Sequence, residues 1–324
     1  MELCVESSQF IAESAGRLDK VLSSALGVSR NQVEKLIKDG FVAVDGKQIL
    51  KPSFKVASGM LVTYEIQEAK PKSFEDIDLA IEVLYEDDDI MVINKPAGLV
   101  VHPAPSVKEA TLVDWLRKQN IRLSTISGEE RNGIVHRLDK ETSGALLVAK
   151  SDFAHTQLSE QLQDRSMGRY YMAVINYPLK EDTVVDQPIA RNPKNRLKMA
   201  IVEGGREAKT AFVKVAQSKV ESELVACKLF SGRTHQIRVH LGTLGRHIIG
   251  DKLYAPSKES YKHRMFLHAY LLYFIHPRSG KRVAVRAPFF DDMREYIEKN
   301  FEKGSAYVSF NRERIEELFK DIAS

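Results

Sequence analysis

Cysteine is scarce in this chain of 324 residues. Its two cysteines, Cys4 and Cys227, are far apart, and neither belongs to a CxxC pair. A disulfide-stapled fold and a zinc ribbon both need more thiols, so the sequence excludes them. The nine histidines form no HExxH pattern and no Cys/His cluster, which leaves histidine-based metal binding without support. The sequence therefore predicts no metal site.

Long apolar runs and nucleotide-binding glycine motifs are lacking as well. No stretch approaches the roughly 20 apolar residues that a membrane helix needs. No GxxxxGK[ST] or GxGxxG run is present, so neither a phosphate-binding loop nor a dinucleotide fold is supported. The first residues, MELCVESSQFIAES, have no basic start and no apolar core. We expect a cytoplasmic protein with no membrane partner and no cofactor.

The charge of the chain is mildly basic and unevenly distributed. The net charge is +4, with a pI of about 8.8. Between Arg17 and Lys55 there are eight Lys and Arg against four Asp and Glu, whereas Glu82–Asp89 is acidic. Such segregation is expected of a protein that presents basic patches to RNA. By itself it permits a polyanion partner without demonstrating one.

The length predicts two domains, with boundaries at residues 1–69 and 80–324 and a polar linker at 70–79. In the first domain, apolar spacing predicts two helices, the second capped by Ser29, and then a hairpin that turns at Asp45-Gly46. The second domain is dominated by strand patterns with varied connections. We therefore predict an α+β fold with a large mixed or antiparallel sheet, a small N-terminal α/β module, and a charged C-terminal helix appended to the core.

The most unusual local run is GIVHRLDKETSGALLVAKS, residues 133–151. It places Asp139 between Arg137 and Lys140, on a turn between two buried segments. Nearby positive charge can hold such a carboxylate ionised, and an ionised carboxylate is a competent nucleophile. On composition alone the alternative, a solvated charged turn, is the better interpretation.

A second run, SGRTHQIRVHLGTLGRHIIGD, spans residues 231–251. Thr234 can cap a helix there, which would place Arg233 at a strand-to-helix junction, free to form a bidentate pair with Asp139. Arg238 and His240 would then face RNA phosphates from the helix. The alternative is an ordinary basic surface helix.

A third run, RSMGRYYMAVINY, spans residues 165–177. Tyr170 and Tyr171 open a strand, so one is expected to point inward and one outward. An inward tyrosine near a carboxylate could stack on a base or move a proton. The alternative is an aromatic pair that fills the core.

Taken together, these runs resemble the RluA-type family of ribosomal large-subunit pseudouridine synthases, most of all its synthase D branch. The resemblance covers about residues 80–290, and the pieces that carry it are NKPAGLVVHP (94–103), HRLDKETSG (136–144), GRYYMAV (168–174) and SGRTHQIRVHL (231–241). The N-terminal block is similar to the S4 RNA-binding module. That likeness rests on RLDKVL (17–22), GVSRNQVEKLIKDG (27–40) and VAVDGK (42–47).

The resemblance implies an RNA pseudouridine synthase without metal or nucleotide cofactor, a monomer that acts on large-subunit ribosomal RNA or a pre-ribosomal particle. It assigns Asp139 as catalytic residue, Tyr171 as active-site tyrosine and Arg233 as the arginine that pairs with Asp139. Further substrate contacts are expected in both domains, at His136, Arg137, Leu138, Arg169, Ile237 or Leu241, Arg238, Arg30, Lys35 and Lys38.

Pseudouridine formation moves the C1′ bond of uridine from N1 to C5 of the base, and the base must first leave the stack. Asp139 could attack C1′ or C6, or abstract a sugar proton, and the sequence does not choose. Two other functions remain open: a non-catalytic RNA-binding or ribosome assembly factor, and a carboxylate-nucleophile nucleosidase. The second normally needs another carboxylate, and only Glu141 stands near.

Overall fold

The computed structural model describes residues 6–28, 30–66, 79–104, 107, 109–128, 131–255, 262–302 and 312–322. The chain divides into two compact units, Met1–Ser73 and Phe74–Ser324, called here the N-terminal unit and the C-terminal unit. The predicted linker lies outside the described residues except for Leu79, and so does the predicted cap Ser29. Among the described residues, no helix is both long and apolar enough to cross a membrane.

The N-terminal unit packs two helices against small sheets. A four-stranded antiparallel sheet has the order β1-β6-β3-β4, and β2 pairs with β5. Asp45 and Gly46 turn the β3-β4 hairpin with φ of 48° and 75°, which confirms the predicted turn. The elements are β1 (Glu6–Ile11), β2 (Gly16–Arg17), α1 (Leu18–Leu26), α2 (Arg30–Lys38), β3 (Val42–Val44), β4 (Lys47–Gln48), β5 (Lys55–Val56) and β6 (Leu61–Ile66).

The C-terminal unit is built on a nine-stranded mixed sheet. Its strand order is β11-β14-β15-β10-β16-β9-β8-β7, and β17 also pairs with β16. Its strands are β7 (Glu82–Glu86), β8 (Ile90–Lys95), β9 (Ser143–Ala149), β10 (Gly168–Ile175), β11 (Thr183–Asp186), β14 (Lys209–Gln217), β15 (Glu223–Leu229), β16 (Leu267–Ile275) and β17 (Arg282–Arg286). A separate two-stranded sheet pairs β12 (Ile189–Arg191) with β13 (Met199–Ile201). The helices are α3 (Leu112–Lys118), α4 (Asp152–Gln163), α5 (Gln236–Thr243), α6 (Asp291–Asn300) and α7 (Arg312–Leu318).

Both faces of the central strands are covered, which explains their continuous apolar sequences. In β9, Leu146 and Val148 belong to the core that also buries α3, α6 and α7. The alternate residues, Ala145 and Leu147, join a second core against α4 on the other face. The α+β class with a large mixed sheet is confirmed.

Two local expectations were wrong. The C-terminal helix α7 is part of the core, because Ile315 and Phe319 are fully buried in it. The ring of Phe319 lies 5.3 Å from that of Tyr170. Tyr170 and Tyr171 are therefore both buried, since a helix covers the face where solvent was expected. The sequence patterns also failed to predict β11, β12, β13, β17 and α6.

Gly144 permits a close approach of two strands. Strand β9 begins parallel to β16, with Gly144 opposite Ala269. The φ of Gly144 is 113°, and a Cβ there would lie 2.3 Å from the carbonyl oxygen of Ala269. Any side chain would push these strands apart.

We expect Gly144→Ala to lower the free energy of unfolding by about 3 kcal/mol or more, through backbone strain plus the clash. The matched control is Gly204→Ala. Gly204 also has a positive φ, of 75°, but open space around its Cβ, so the variant should be destabilised by only about 1 kcal/mol. Urea denaturation measures both, and equal effects would contradict the steric explanation.

Candidate active site

One row of residues across the sheet brings three of the sequence motifs together. Lys95 is paired with Gly144, Gly144 with Ala269, and Ala269 with Tyr171. Neighbouring strands lie about 4.8 Å apart. Tyr171 therefore lies only two strands from the start of β9, where the loop that carries Asp139 enters the sheet.

Lys95, the last residue of β8, holds the loop around Asp139 through hydrogen bonds to backbone carbonyl oxygens. The fully buried Lys95 Nζ donates to the carbonyl oxygens of Pro96, Leu99 and Lys140, at 2.7, 2.9 and 3.1 Å. The N–H of Gly98 donates to the same Lys140 oxygen. Burial lowers the pKa of Lys95, while Asp139 and Glu141 favour its charged form. The NKPAG segment thus positions the backbone next to Asp139.

The cation at Asp139 is Arg238. Its Nη1 donates to Oδ2 of Asp139 at 3.3 Å. Its Nε and Nη2 form a bidentate pair with Asp251, at 2.7 and 2.8 Å. Arg238 and Asp251 are 7% and 1% exposed, and Asp139 is 17% exposed. One buried guanidinium therefore links a buried carboxylate to one that faces a cleft.

The expected pairing of Arg233 with Asp139 was wrong. Arg233 Nε donates instead to the carbonyl oxygen of Glu207 at 2.9 Å. The expectation that Arg238 and His240 face RNA phosphates was wrong too, because both are buried. His240 contacts Thr210 and Gln187 inside the protein.

The start of helix α5 explains these errors. The N-cap is His235, in a left-handed conformation with φ of 58°, and Thr234 does not cap the helix. Gln236 holds the preceding loop, since its Oε1 accepts from the N–H of Arg233 and from Ser231 Oγ. This first turn directs Arg238 inward. Gln236 and His235 were missed as site residues, although both lie within the matched run 231–241.

The sequence neighbours of Asp139 do not supply its counter-charge. Lys140 forms an exposed ion pair with Glu109. Arg137 is exposed and lines the mouth of the cleft. Arg137 and Lys140 were expected to supply the positive charge next to Asp139. In the structure that charge comes from Arg238, 99 positions away.

Asp139 opens into a cleft of about 520 Å³. Burial raises the pKa of Tyr171, so its hydroxyl stays protonated at neutral pH. The apolar part of the lining includes the predicted Leu138 and Ile237, but not Leu241, and adds Leu229 and Leu267.

A larger groove of about 1600 Å³ adjoins the cleft and shares Arg137, Arg169 and Arg233 with it. Its described lining contains no carboxylate. Its cations are Arg131, Arg137, Arg165, Arg169, Arg206, Lys228 and Arg233.

Arg169 lies where the cleft and the groove meet. Its Nε is buried and has no hydrogen-bond partner among the described residues. A Cβ at Gly232 would lie 3.1 Å from Nη2 of Arg169, so Gly232 leaves room for the guanidinium. Arg169 is thus a cation held at the site without a protein counter-ion among the residues that the structure describes.

His136 was predicted to bind substrate, but its ring is hydrogen-bonded to the protein backbone. Its Nε2 accepts from the N–H of Leu147 at 3.1 Å, which ties the Asp139 loop to β9. Burial lowers the pKa of His136 to about 3. The ring is therefore neutral and offers no charge to a phosphate.

In the N-terminal unit, Arg30 is an ion-pair partner. Its guanidinium and that of Arg17 both bond to the buried carboxylate of Asp19. These contacts, that of Arg17 first, lower the pKa of Asp19 to about 2. Lys38 is 3.5 Å from Glu34, and Lys35 is exposed. RNA contacts by Arg30, Lys35 and Lys38 stay predictions.

The described residues contain no group of three or more His, Cys, Asp or Glu side chains arranged to hold a metal ion. The ionisable side chains that line the cleft are Asp139, Tyr171, His235 and the arginines Arg137, Arg169, Arg233 and Arg238.

Comparison with known proteins gives a consistent result. Residues 89–243 match the RNA pseudouridylate synthase family, and residues 16–62 match the S4 domain. An RNA pseudouridine synthase of Helicobacter pylori is 46% identical over 94% of this chain and 95% of its own length. One of Bacillus subtilis is 41% identical over 88% and 94%.

A protein of Zymomonas mobilis called ribosomal large subunit pseudouridine synthase D is 41% identical, over 86% of this chain and 91% of its own length. Among solved structures, human RNA pseudouridylate synthase domain containing 1 has a TM-score of 0.58 at 23% identity. It covers 74% of this chain and 95% of its own. That structure supports the fold.

The geometry predicts unequal stability effects for the two arginines. Arg238→Met leaves the carboxylates of Asp139 and Asp251 without their shared cation, which should cost about 3–5 kcal/mol of the free energy of unfolding. Arg233→Met removes one hydrogen bond to a carbonyl and should cost about 1 kcal/mol. Urea denaturation of both variants tests this. A larger destabilisation of the Arg233 variant would restore it as the structural partner.

Proposed function

The chain belongs to the RNA pseudouridylate synthase family, and from that premise we propose that Asp139 is the nucleophile with which it isomerises a uridine of large-subunit ribosomal RNA. The observation that carries this proposal is the position of Asp139, which lines the cleft with its carboxylate hydrogen-bonded to Arg238. Two further observations support the choice of RNA. Relatives at about 40% identity are named large-subunit synthases, and residues 16–62 form an S4 domain.

The reaction is an isomerisation whose atoms balance within the substrate. The N1–C1′ bond of uridine breaks and a C5–C1′ bond forms. C5 then loses a proton, and N1 gains one. No electrons and no group leave the nucleotide, so the protein must supply a nucleophile or base, hold the detached uracil and move one proton.

Asp139 presents one oxygen to this chemistry. Arg238 donates to Oδ2, whereas Oδ1 accepts no hydrogen bond from the described residues. The guanidinium orients the carboxylate through this hydrogen bond. Oδ1 is then the oxygen that meets C1′, C6 or a sugar proton.

The detached uracil is held by the walls of the cleft. Tyr171 offers a ring for stacking and a protonated hydroxyl, and Leu138 and Ile237 offer apolar contact. Because Tyr171 keeps its proton at neutral pH, its hydroxyl acts first as a donor to the base. Removal of the C5 proton by Tyr171 would need a second group to take the proton onward.

We expect Asp139→Asn to reduce tritium release from RNA labelled at uridine C5 to background, because the amide is neither nucleophile nor base. RNA affinity, measured by filter binding, should stay within about threefold, since Asp139 adds no favourable charge toward phosphate. Large-subunit ribosomal RNA is the substrate, and unlabelled competitor RNA controls for specific binding.

Several results would overturn the assignment. Turnover by the Asp139→Asn variant would remove Asp139 as nucleophile. Absence of release by the unaltered protein would favour an assembly factor. Free uracil among the products would indicate a nucleosidase.

The groove beside the cleft supplies the RNA backbone contacts in this proposal. Seven cations line it and no described carboxylate offsets them. Phosphate contacts position the RNA, and they also offset the cost of about a few kcal/mol for unstacking the target base. Arg137, Arg169 and Arg233 lie at its junction with the cleft, beside the flipped nucleotide.

Arg165→Gln and Arg206→Gln, at exposed positions of the groove, should each reduce the slope of log affinity against log salt by about 0.7–0.9 for every phosphate that the variant no longer binds. The rate at saturating RNA should change little. Arg294→Gln is the control, because Arg294 pairs with Asp291 on α6 and does not line the groove. An unchanged slope in both groove variants would place the backbone elsewhere.

Two further features stay predictions from the sequence: a cytoplasmic location and a monomeric state. The sequence does not choose between free RNA and an assembling ribosomal particle as substrate.

A further inference from the structure

A second side chain, besides Arg238, faces the Asp139 carboxylate. The ring of His235 lines the cleft, and its Nε2 lies 3.8 Å from Oδ2 of Asp139. This is the oxygen that Arg238 also contacts. Hydrogen bonds of a catalytic site are often long without substrate and shorten in the complex. A small movement of either side chain would close this one.

The backbone of His235 is held in an unfavourable conformation that aims the ring. Its φ of 58° and ψ of 19° are left-handed, which costs energy for any residue with a Cβ. Strained positions of this kind persist where surrounding contacts impose them, and they concentrate at functional sites. Here the contact that fixes the ring comes from Tyr254.

The Tyr254 hydroxyl is hydrogen-bonded to Nδ1 of His235, and the direction of this bond decides which ring nitrogen carries the proton. The Tyr254 hydroxyl accepts from the N–H of Met199 at 2.7 Å, so its own proton is free to be donated. His235 Nδ1 lies 2.9 Å away, closer than the Met199 carbonyl at 3.3 Å. If the hydroxyl proton goes to Nδ1, the nearer of these two acceptors, the neutral ring carries its own proton on Nε2, toward Asp139.

Burial keeps the His235 ring neutral, although four charged residues act on it. Asp139, Arg238, Asp251 and Arg137 all act on the ring, and burial has the largest effect, lowering the pKa of His235. A neutral N–H donor orients the carboxylate without adding a second full positive charge to it. Since Asp139 must remain nucleophilic, a dipole serves better here than another cation.

Tyr254 also contacts the other partner of Asp139. The Arg238 guanidinium lies over its ring, 4.8 Å from the centroid. Tyr254 is itself held by a tight turn, in which Oδ1 of Asp251 accepts from its N–H. The ring and the hydroxyl of one tyrosine therefore support the two donors that face Oδ2.

We propose that His235 and Tyr254 are positioning residues of the isomerisation: Tyr254 holds the His235 Nε2 proton toward Oδ2 of Asp139, so that Oδ1 is presented to the substrate. The inference rests on the proposed function of Asp139. It adds two residues whose effect is exerted through the carboxylate.

The test uses a matched pair at position 235. His235→Gln keeps an N–H donor at nearly the reach of Nε2, whereas His235→Met has a similar length and no donor. We expect the single-turnover rate of tritium release at saturating RNA to fall about tenfold or more in the Met variant. The Gln variant should recover most of that rate. RNA affinity should be the same in both variants. A purely structural defect would slow the Gln and the Met variant alike.

Tyr254→Phe isolates the hydroxyl, because it keeps the ring under Arg238. We expect a slower single-turnover rate with unchanged RNA affinity. Combined with His235→Met it should slow the reaction no further, since both changes act through one hydrogen bond. Tyr85→Phe is the control, because its hydroxyl bonds to Asp87 away from the cleft, and it should keep the full rate.

The inference is overturned if the Gln variant is as slow as the Met variant, if the Met variant keeps half of the normal rate, or if the double variant multiplies the two effects. These outcomes require an active unaltered protein. If that protein releases no tritium, the proposed function fails and this inference fails with it.

Discussion

Arg238 lies between two carboxylates, and the arrangement of the cleft depends on how it is shared. Its bidentate pair with Asp251 uses Nε and Nη2 and fixes the plane of the guanidinium. Only Nη1 remains for Asp139. Because the pair with Asp251 is nearly closed to solvent, its position is set by packing, and Asp139 is oriented by a group that cannot easily move. Taking a guanidinium out of water is costly, and the cost is offset only while both carboxylates stay in place.

Asp139 was singled out from the sequence but was assigned the wrong partner, Arg233. The reason lies in one residue, the helix cap His235. A helix capped at Thr234 would begin one residue earlier than the helix that forms, and one residue is about 100° of rotation around the axis. The cap is His235, in a left-handed conformation and without a side-chain cap bond, whereas helix caps usually have an extended backbone and a side-chain acceptor such as that of Thr234. This phase directs Arg238 into the protein and leaves Arg233 before the helix, bonded to Glu207. The run was recognised, but the roles within it depended on where the helix starts.

Charge neighbours along the chain were a poor guide for the same structural reason. Arg137 and Lys140 flank Asp139 in sequence, yet on an extended loop successive side chains diverge, and Lys140 reaches Glu109. The cations of the groove come from segments between Arg131 and Arg233, so no local window shows them as a basic patch. The large mixed sheet was predictable because its strands are long apolar runs. The burial of α7 was not predictable, because its charged sequence also fits a surface helix. In the structure, Phe319 at its end packs against Tyr170.

The cleft and the groove differ in how their positive charges are paired, and this difference matters for an enzyme that isomerises one uridine of an RNA. In the groove, positive charge has no described counter-ion, so each phosphate that binds there contributes favourably. In the cleft, Arg238 is already paired with its carboxylates, and the cations at the junction with the groove are Arg137, Arg169 and Arg233. A polyanion is therefore attracted to the groove, whereas the uncharged base can enter the cleft without displacing an ion pair. Without Asp251, the Nε and Nη2 donors of Arg238 would lack their acceptors and would be open to a phosphate. The second carboxylate, Asp251, thus contributes to choosing which part of the nucleotide meets Asp139.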